Sequence, residues 1–181
     1  TIAEQTAASD YIWVHDYHLM NVADLLTALG VKRRTGFFLH IPFPPVDIFL
    51  KLPWRFQILR GLLEYDTIGF QTVRDTRNFI SCLRNLVTGI KVTGRGSSFS
   101  VELSDRVAHV GSFPIGIDFK QFEAAAASDE TVSEMLMARD RMPNIKLVLG
   151  IDRLDYTKGI PRRLMSYERL LQKHPELRGK V

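Results

Sequence analysis

The chain has 181 residues, 45% hydrophobic and 24% charged, which excludes a disordered, fibrous or disulfide-scaffold protein and predicts a folded globular chain. Lys and Arg number 24 against 20 Asp and Glu, a net charge of +4, and only Lys32-Arg33-Arg34 and Arg162-Arg163 form tight basic groups; anionic ligands are permitted but a nucleic-acid stripe is not predicted. A single cysteine, Cys82, excludes an internal disulfide and fits a reducing, cytoplasmic setting.

Thr1-Ile2-Ala3 lacks Met and any basic-then-apolar leader, and Gly179-Lys180-Val181 lacks the composition of a tail, so the chain reads as an internal fragment of a longer protein. Tyr11-Ile12-Trp13-Val14, rich in aromatic and β-branched residues, predicts a buried strand. Asn21 is placed to cap a helix whose Leu25, Leu26 and Leu29 share a face, with Gly30 as its left-handed stop. Gly36 to Leu39 is the next strand, ended by the proline-rich Ile41-Pro42-Phe43-Pro44-Pro45. From about Trp54 the spacing of Trp54, Ile58, Gly61, Leu62 and Tyr65 predicts a helix. Thr67 to Phe70 follows as a third strand and Asp75 to Leu86 as another helix, with Cys82 buried on its apolar side. Gly94-Arg95-Gly96-Ser97-Ser98 lacks the lysine of a phosphate-binding P-loop and reads as a flexible loop.

The rhythm breaks around Phe113 to Ile117, after which Phe119 to Met142 reads as one or two surface helices. Met135, Leu136 and Met142 are assigned to core or interface packing rather than to a cofactor. Lys146 to Ile151 predicts a strand opening a new unit, and Pro161 the first turn of a helix burying Leu164, Tyr167, Leu170 and Leu171. The β–α alternation predicts an α/β fold with parallel sheets. The expected domains are residues 1–114 and a truncated 115–181. No run approaches the ~18 apolar residues of a membrane span.

Ligands of open parallel sheets bind at the carboxyl ends of the strands. Polar residues collect at each such end: His15-Asp16-Tyr17-His18, then His40, then Gln71-Thr72, then Asp152 to Gly159. Together they point to one shared cleft. His15, Asp16 and His18 are metal-ligand types, yet neighbours leaving a strand point apart. Asp16 equally suits gripping of sugar hydroxyls, or capping of a helix. His40, held by the prolines that follow, is either a fixed functional ring or a satisfied core residue. Arg153 and Lys158 together suit a diphosphate, helped by the helix N-terminus near Gly159. The same two cations also suit an ion-pair network with Asp152 and Asp155.

Five motifs in order extend this reading: Val14-His15-Asp16-Tyr17-His18-Leu19, Phe38-Leu39-His40-Ile41-Pro42-Phe43-Pro44, Gly69-Phe70-Gln71-Thr72, Pro114-Ile115-Gly116-Ile117 and Arg153-Leu154-Asp155-Tyr156-Thr157-Lys158-Gly159. The set closely resembles the trehalose-6-phosphate synthase family of glycosyltransferases. The resemblance implies a GT-B fold of two Rossmann-like halves facing across a cleft, here the later part of the acceptor domain and the start of the donor domain. It implies metal-independent, cofactor-free transfer of glucose from UDP-glucose to glucose 6-phosphate with retention of configuration, giving trehalose 6-phosphate and UDP. Arg153 and Lys158 then hold the donor diphosphate, His40 contacts the transferred glucose, and Asp16 binds acceptor hydroxyls. The leaving phosphate itself assists deprotonation of the incoming hydroxyl, with Asp16 as a covalent nucleophile the rival route. Gln71 and Thr72 line the cleft by proximity alone.

The resemblance also implies residues this chain lacks: an N-terminal glycine-containing loop with a phosphate-binding arginine, a later arginine for the acceptor phosphate, and an acidic residue for the nucleotide ribose. The chain alone is therefore expected to be inactive. Asp152 stands where some members carry Glu. No nucleic-acid or membrane partner is implied, and the full-length protein is compatible with a homo-oligomer. The alternatives are a glucosylglycerol-phosphate synthase and a non-catalytic regulatory subunit of a trehalose-synthesising complex.

Overall fold

A computed structural model describes residues 1–181, which divide into two compact units, Thr1–Gly116 and Ile117–Val181. The division falls after Gly116 rather than after Pro114.

The first unit is built on a six-stranded sheet of β1 (Tyr11–His15), β2 (Arg34–Leu39), β3 (Thr67–Phe70), β4 (Lys91–Arg95), β5 (Ser98–Glu102) and β6 (Val107–Ser112), in the spatial order β1-β2-β3-β6-β5-β4. The pairs β1–β2, β2–β3 and β3–β6 are parallel, whereas β5 runs antiparallel to both β6 and β4. The helices are α1 (Ile2–Gln5), α2 (Val22–Ala28), α3 (Val46–Phe49), α4 (Arg55–Leu63) and α5 (Val73–Leu86). Successive strands step in one direction from β1 to β3, and right-handed crossovers then carry α2 and α4 onto the same face. That face holds the core, where Ile12, Val14, Phe37, Leu39, Ile68, Phe70, Val101 and Val110 pack beneath Ala23, Leu26, Leu59, Leu62, Phe79 and Leu83. The opposite face is left open. Tyr11 and Trp13 there are 53% and 63% exposed, so the strand expected to be buried is buried on one face only, its side chains alternating between the covered and the open side.

The strands expected at 11–14, 36–39 and 67–70 form, and α5 starts two residues before the expected Asp75. Gly30, at φ +70°, ends α2, its N–H donating to the Thr27 carbonyl and that of Val31 to the Leu26 carbonyl. Only Leu26 of the expected leucine stripe reaches the core; Leu25 and Leu29 stay exposed, because the seven-residue α2 turns Ala23 and Leu26 to the sheet. Trp54 is likewise exposed, lying just outside α4 as its N-cap, while Gly61, Leu62 and Tyr65 are buried. Residues 94–98 are not a flexible loop. Gly94 and Arg95 end β4, Gly96 and Ser97 form a two-residue turn, and Ser98 begins β5. Gly96 supplies the positive φ, +68°, that such a turn demands.

Cys82 lies fully buried on α5, and burial pushes its thiol up to about 11. Thiolate is the reactive form, so a thiol reagent at pH 8 is expected to leave Cys82 unlabelled in the folded protein and to label it once denatured, as read by mass spectrometry of the peptide. Labelling under native conditions at the denatured rate is the contrary result.

The second unit holds α6 (Phe119–Ala126) and α7 (Asp129–Arg141), capped by the side chains of Asp118 and Ser128, and α8 (Ile160–Lys173), which follows Gly159 without a side-chain cap. Pro161 lies in the first turn of α8 as expected. Lys146–Ile151 does not form the expected strand, since no other strand forms within residues 117–181 to accept its hydrogen bonds. The residues expected to be buried by α8 follow suit: Leu164 and Tyr167 are exposed, and Leu170 and Leu171 are half-buried. Met135, Leu136 and Met142 are exposed rather than packed in a core. No helix of the chain is long and apolar enough to cross a membrane.

Candidate functional site

The carboxyl ends of β1 and β2 bring the first cluster together. In the parallel register His15 lies opposite Phe38, so His40, two residues on, falls diagonally across from His15 on the same face. The His15 Nδ1 and His40 Nε2 atoms are 2.9 Å apart, with ring centroids at 5.2 Å and planes inclined by 27°. Trp13 flanks His15 at 4.5 Å and Phe38 flanks His40 at 4.8 Å. The pair borders a cavity of about 470 Å³ on the open face of the sheet, lined by Tyr11, Trp13, Phe38, Gly69, Phe113 and Ile115 among others. Gly69 is required there, because a Cβ would stand 2.8 Å from the Phe38 ring and 3.1 Å from that of Phe113.

Asp16 continues the sheet, its N–H donating to the Phe38 carbonyl at 2.8 Å, and then reverses the chain at φ +69° and ψ 164°. That region is essentially reserved for glycine, and an L-residue held there stores about 1–3 kcal/mol of strain. One carboxylate oxygen accepts the Tyr17 N–H at 3.0 Å and caps the short 3₁₀ turn Tyr17–Leu19. The other oxygen has no hydrogen-bond partner in the chain. Capping and binding are thus compatible in one side chain. His18 instead stacks on Tyr17 at 3.8 Å, and His15, Asp16 and His18 do not converge as a set of metal ligands.

An Asp16→Gly substitution removes the carboxylate and the strain together, and stability and rate report the two losses separately. It is expected to raise stability by about 1 kcal/mol, the relieved strain less the flexibility gained by the unfolded chain and the few tenths lost with the cap. With the hydroxyl contact that the family resemblance implies for Asp16, the same variant of the full-length protein is also expected to lower kcat/KM by about tenfold or more. Denaturant midpoints and initial rates, measured side by side, decide; a fall in stability sinks the strain argument.

Gln71 and Thr72 both have structural partners. The Gln71 side chain accepts the Ile115 N–H at 3.1 Å and donates to the Ile115 carbonyl at 3.4 Å, clamping the loop that follows β6. Thr72 caps α5 through the Asp75 N–H at 3.1 Å and donates to the Asp75 carboxylate at 2.5 Å. Thr-Val-Arg-Asp is a capping-box-like spacing, legible in the sequence; the Gln71 clamp spans 44 residues and is not.

The second unit carries the other cluster. Asp155 accepts both the N–H and the hydroxyl of Thr157 at 2.8 Å, shaping the 3₁₀ turn Tyr156–Lys158. These bonds, with the Arg153 and Lys158 charges as lesser contributions, hold its carboxyl below the usual range. Asp152 pairs with Arg163 of α8, not with Arg153. Neither Arg153 nor Lys158 forms an ion pair, and both are exposed. Of the two readings left open by the sequence, the ion-pair network is therefore not what forms. Gly159, at φ +63°, turns the chain directly into α8, whose N-terminus has no side-chain cap. Two unneutralised cations thus precede an uncapped 14-residue helix, an arrangement suited to anionic oxygen. The sequence marks Arg163 only as part of the basic pair Arg162-Arg163, and nothing local in it points to the reach to Asp152.

Comparison with known proteins adds an independent line. The family model described as glycosyltransferase family 20 matches residues 1–181. An Aspergillus niger protein named alpha,alpha-trehalose-phosphate synthase [UDP-forming] 2 is 42% identical over 100% of this chain and 38% of its own length. A trehalose-6-phosphate synthase of Sinorhizobium fredii is 40% identical over 99% of the chain and 38% of its length. The chain thus spans well under half of these relatives. Among solved structures, one from E. coli described as bound with UDP-2-fluoro glucose superposes with a TM-score of 0.73 at 38% identity, over 99% of this chain and 39% of that one. An alpha,alpha-trehalose-phosphate synthase (UDP-forming) from Burkholderia xenovorans, in complex with glucose-6-phosphate, gives 0.74 at 32% identity with the same coverage.

Proposed function

The chain belongs to glycosyltransferase family 20, and from that premise we propose that its parent protein transfers glucose from UDP-glucose to glucose 6-phosphate with retention, forming trehalose 6-phosphate and UDP. The observation that carries this reading is the pair of unneutralised cations, Arg153 and Lys158, ahead of the uncapped α8. Departure of UDP develops charge on its β-phosphate. Cations and helix amides already oriented toward that charge lower the barrier without reorganising. Residues 1–114 are read as the later part of the acceptor domain and 115–181 as the start of the donor domain of a GT-B enzyme.

Within the first unit, Asp16 accepts hydroxyls of the acceptor sugar through its unpartnered oxygen, and His40 contacts the transferred glucose. His40, Arg153 and Lys158 form the catalytic set, and no metal ion or cofactor is assigned to the reaction. The incoming hydroxyl loses its proton to the departing phosphate, so no second carboxylate is needed. The proposed setting is the cytoplasm, in keeping with a lone buried cysteine.

The test is UDP release by the full-length parent with UDP-glucose as donor and glucose 6-phosphate or glycerol 3-phosphate as acceptor. Release that depends on glucose 6-phosphate supports the proposal. Release only with glycerol 3-phosphate reassigns the protein to glucosylglycerol-phosphate synthesis, and a folded parent silent with both acceptors fits a regulatory subunit.

A further inference from the structure

We propose that His15 is a positioning residue for His40, its Nδ1 accepting the His40 Nε2–H so that His40 is held in one tautomer with its Nδ1 lone pair free to accept a sugar hydroxyl. The inference rests on the glucosyl-transfer reading of this site for its catalytic consequence, but not for the pairing itself. At 2.9 Å the two facing nitrogens share one proton, so the tautomer of one ring dictates that of the other. Donation from His40 to His15 leaves both rings in the Nε2–H form that neutral imidazoles favour in water. The reverse arrangement would place both rings in their less favoured form. No other hydrogen bond is made by either imidazole, so nothing else in the first unit opposes that choice.

The fold explains why this pair exists. Parallel register sets His15 opposite Phe38 and therefore diagonal to His40, within reach of an imidazole on each side. The Trp13 ring beside His15 and the Phe38 ring beside His40 limit how far either imidazole turns away. His40 is followed by Ile41-Pro42, and Ile41, as the residue before proline, is restricted to extended backbone. Side-chain pairing thus acts on the His40 ring itself, while the restricted Ile41 limits only how the chain leaves it. The result is an acceptor whose direction is set before substrate arrives, which is where a positioning contact gains rate rather than affinity.

Three variants of the full-length parent test this. His15→Phe keeps a flat ring but removes the acceptor; kcat is expected to fall about tenfold, the rate equivalent of one neutral hydrogen bond, with KM for glucose 6-phosphate changed less than about twofold. His15→Asn restores an amide oxygen near the position of Nδ1 and is expected to recover most of the rate. His15→Phe combined with His40→Ala is expected to cost no more than His40→Ala alone, because the two residues act as one unit. In histidine-¹⁵N spectra, His40 should show a single Nε2–H tautomer in the parent and in His15→Asn, and a mixture in His15→Phe. Unchanged kcat in His15→Phe, additive losses in the double variant, or a His40 spectrum indifferent to residue 15 overturns the proposal. Should the parent release no UDP with either acceptor, the glucosyl-transfer reading fails while the spectra still decide the pairing.

Discussion

Lys158→Ala in the full-length protein is expected to lower kcat by a hundred- to a thousandfold, with Arg153→Ala in the same range. Loss of one preorganised donor to a developing oxyanion costs about 2.7–4 kcal/mol in well-characterised enzymes. In the proposed role both side chains act on a leaving group whose charge exists mainly in the transition state, so kcat should fall more than KM rises. Because neither cation has an ion-pair partner in the fold, its removal strands no buried carboxylate, and stability should change by less than about 0.5 kcal/mol. That separation makes the test clean. A variant that melts like the parent yet turns over a hundred times more slowly has lost chemistry, not structure. Arg153→Lys should rescue little, since a point charge does not replace a planar fork on two phosphate oxygens. Near-normal UDP release by either alanine variant would sink the diphosphate assignment.

Phe43→Ala is expected to destabilise the first unit by about 3–5 kcal/mol, the usual result of emptying a buried aromatic site. Phe43 is 2% exposed and its ring meets those of Phe49, Phe79 and Phe70 at 5.1, 5.2 and 5.6 Å. Its carbonyl also accepts the Asn78 side-chain amide at 2.9 Å, tying the loop to α5. Phe43 lies three residues after His40, so the same ring that fills the core anchors the segment carrying the site. Phe79→Ala removes a comparable ring from α5 but leaves Phe43 in place, with its contacts to Phe49 and Phe70. Denaturant unfolding should therefore give similar losses for the two variants, while kcat, measured where both remain folded, should fall further for Phe43→Ala. Equal activity in the two would show that the core does not hold the loop.

The aromatic and β-branched run Tyr11 to Val14 already specifies a strand, and the Pro-rich run after His40 already specifies where the next strand must end. These are local properties, set by side-chain shape and by proline's missing N–H. The same holds for the Gly30 stop and for the Asp155–Thr157 turn. Gly94 to Ser98 misled the sequence reading because a glycine-rich run suits a loose loop and a tight hairpin equally. What decides between them is the partner strand β6, which pairs with β5 from across the sheet.

The site divides along the same line. Residue types and motif order named Asp16, His40, Arg153 and Lys158 as the chemistry-bearing positions, since charge and donor geometry belong to the side chain itself. Only the folded chain decided that His15 meets His40, that Asp152 takes Arg163 and so leaves Arg153 unneutralised, and that Asp16 occupies a glycine-like backbone conformation. Each of these depends on register or on a helix face 11 to 25 residues away, or on a turn forced by the neighbouring strand. A hydrogen-bond partner is chosen by proximity in space. The sequence determines which groups seek partners, and tertiary packing determines which of them find one.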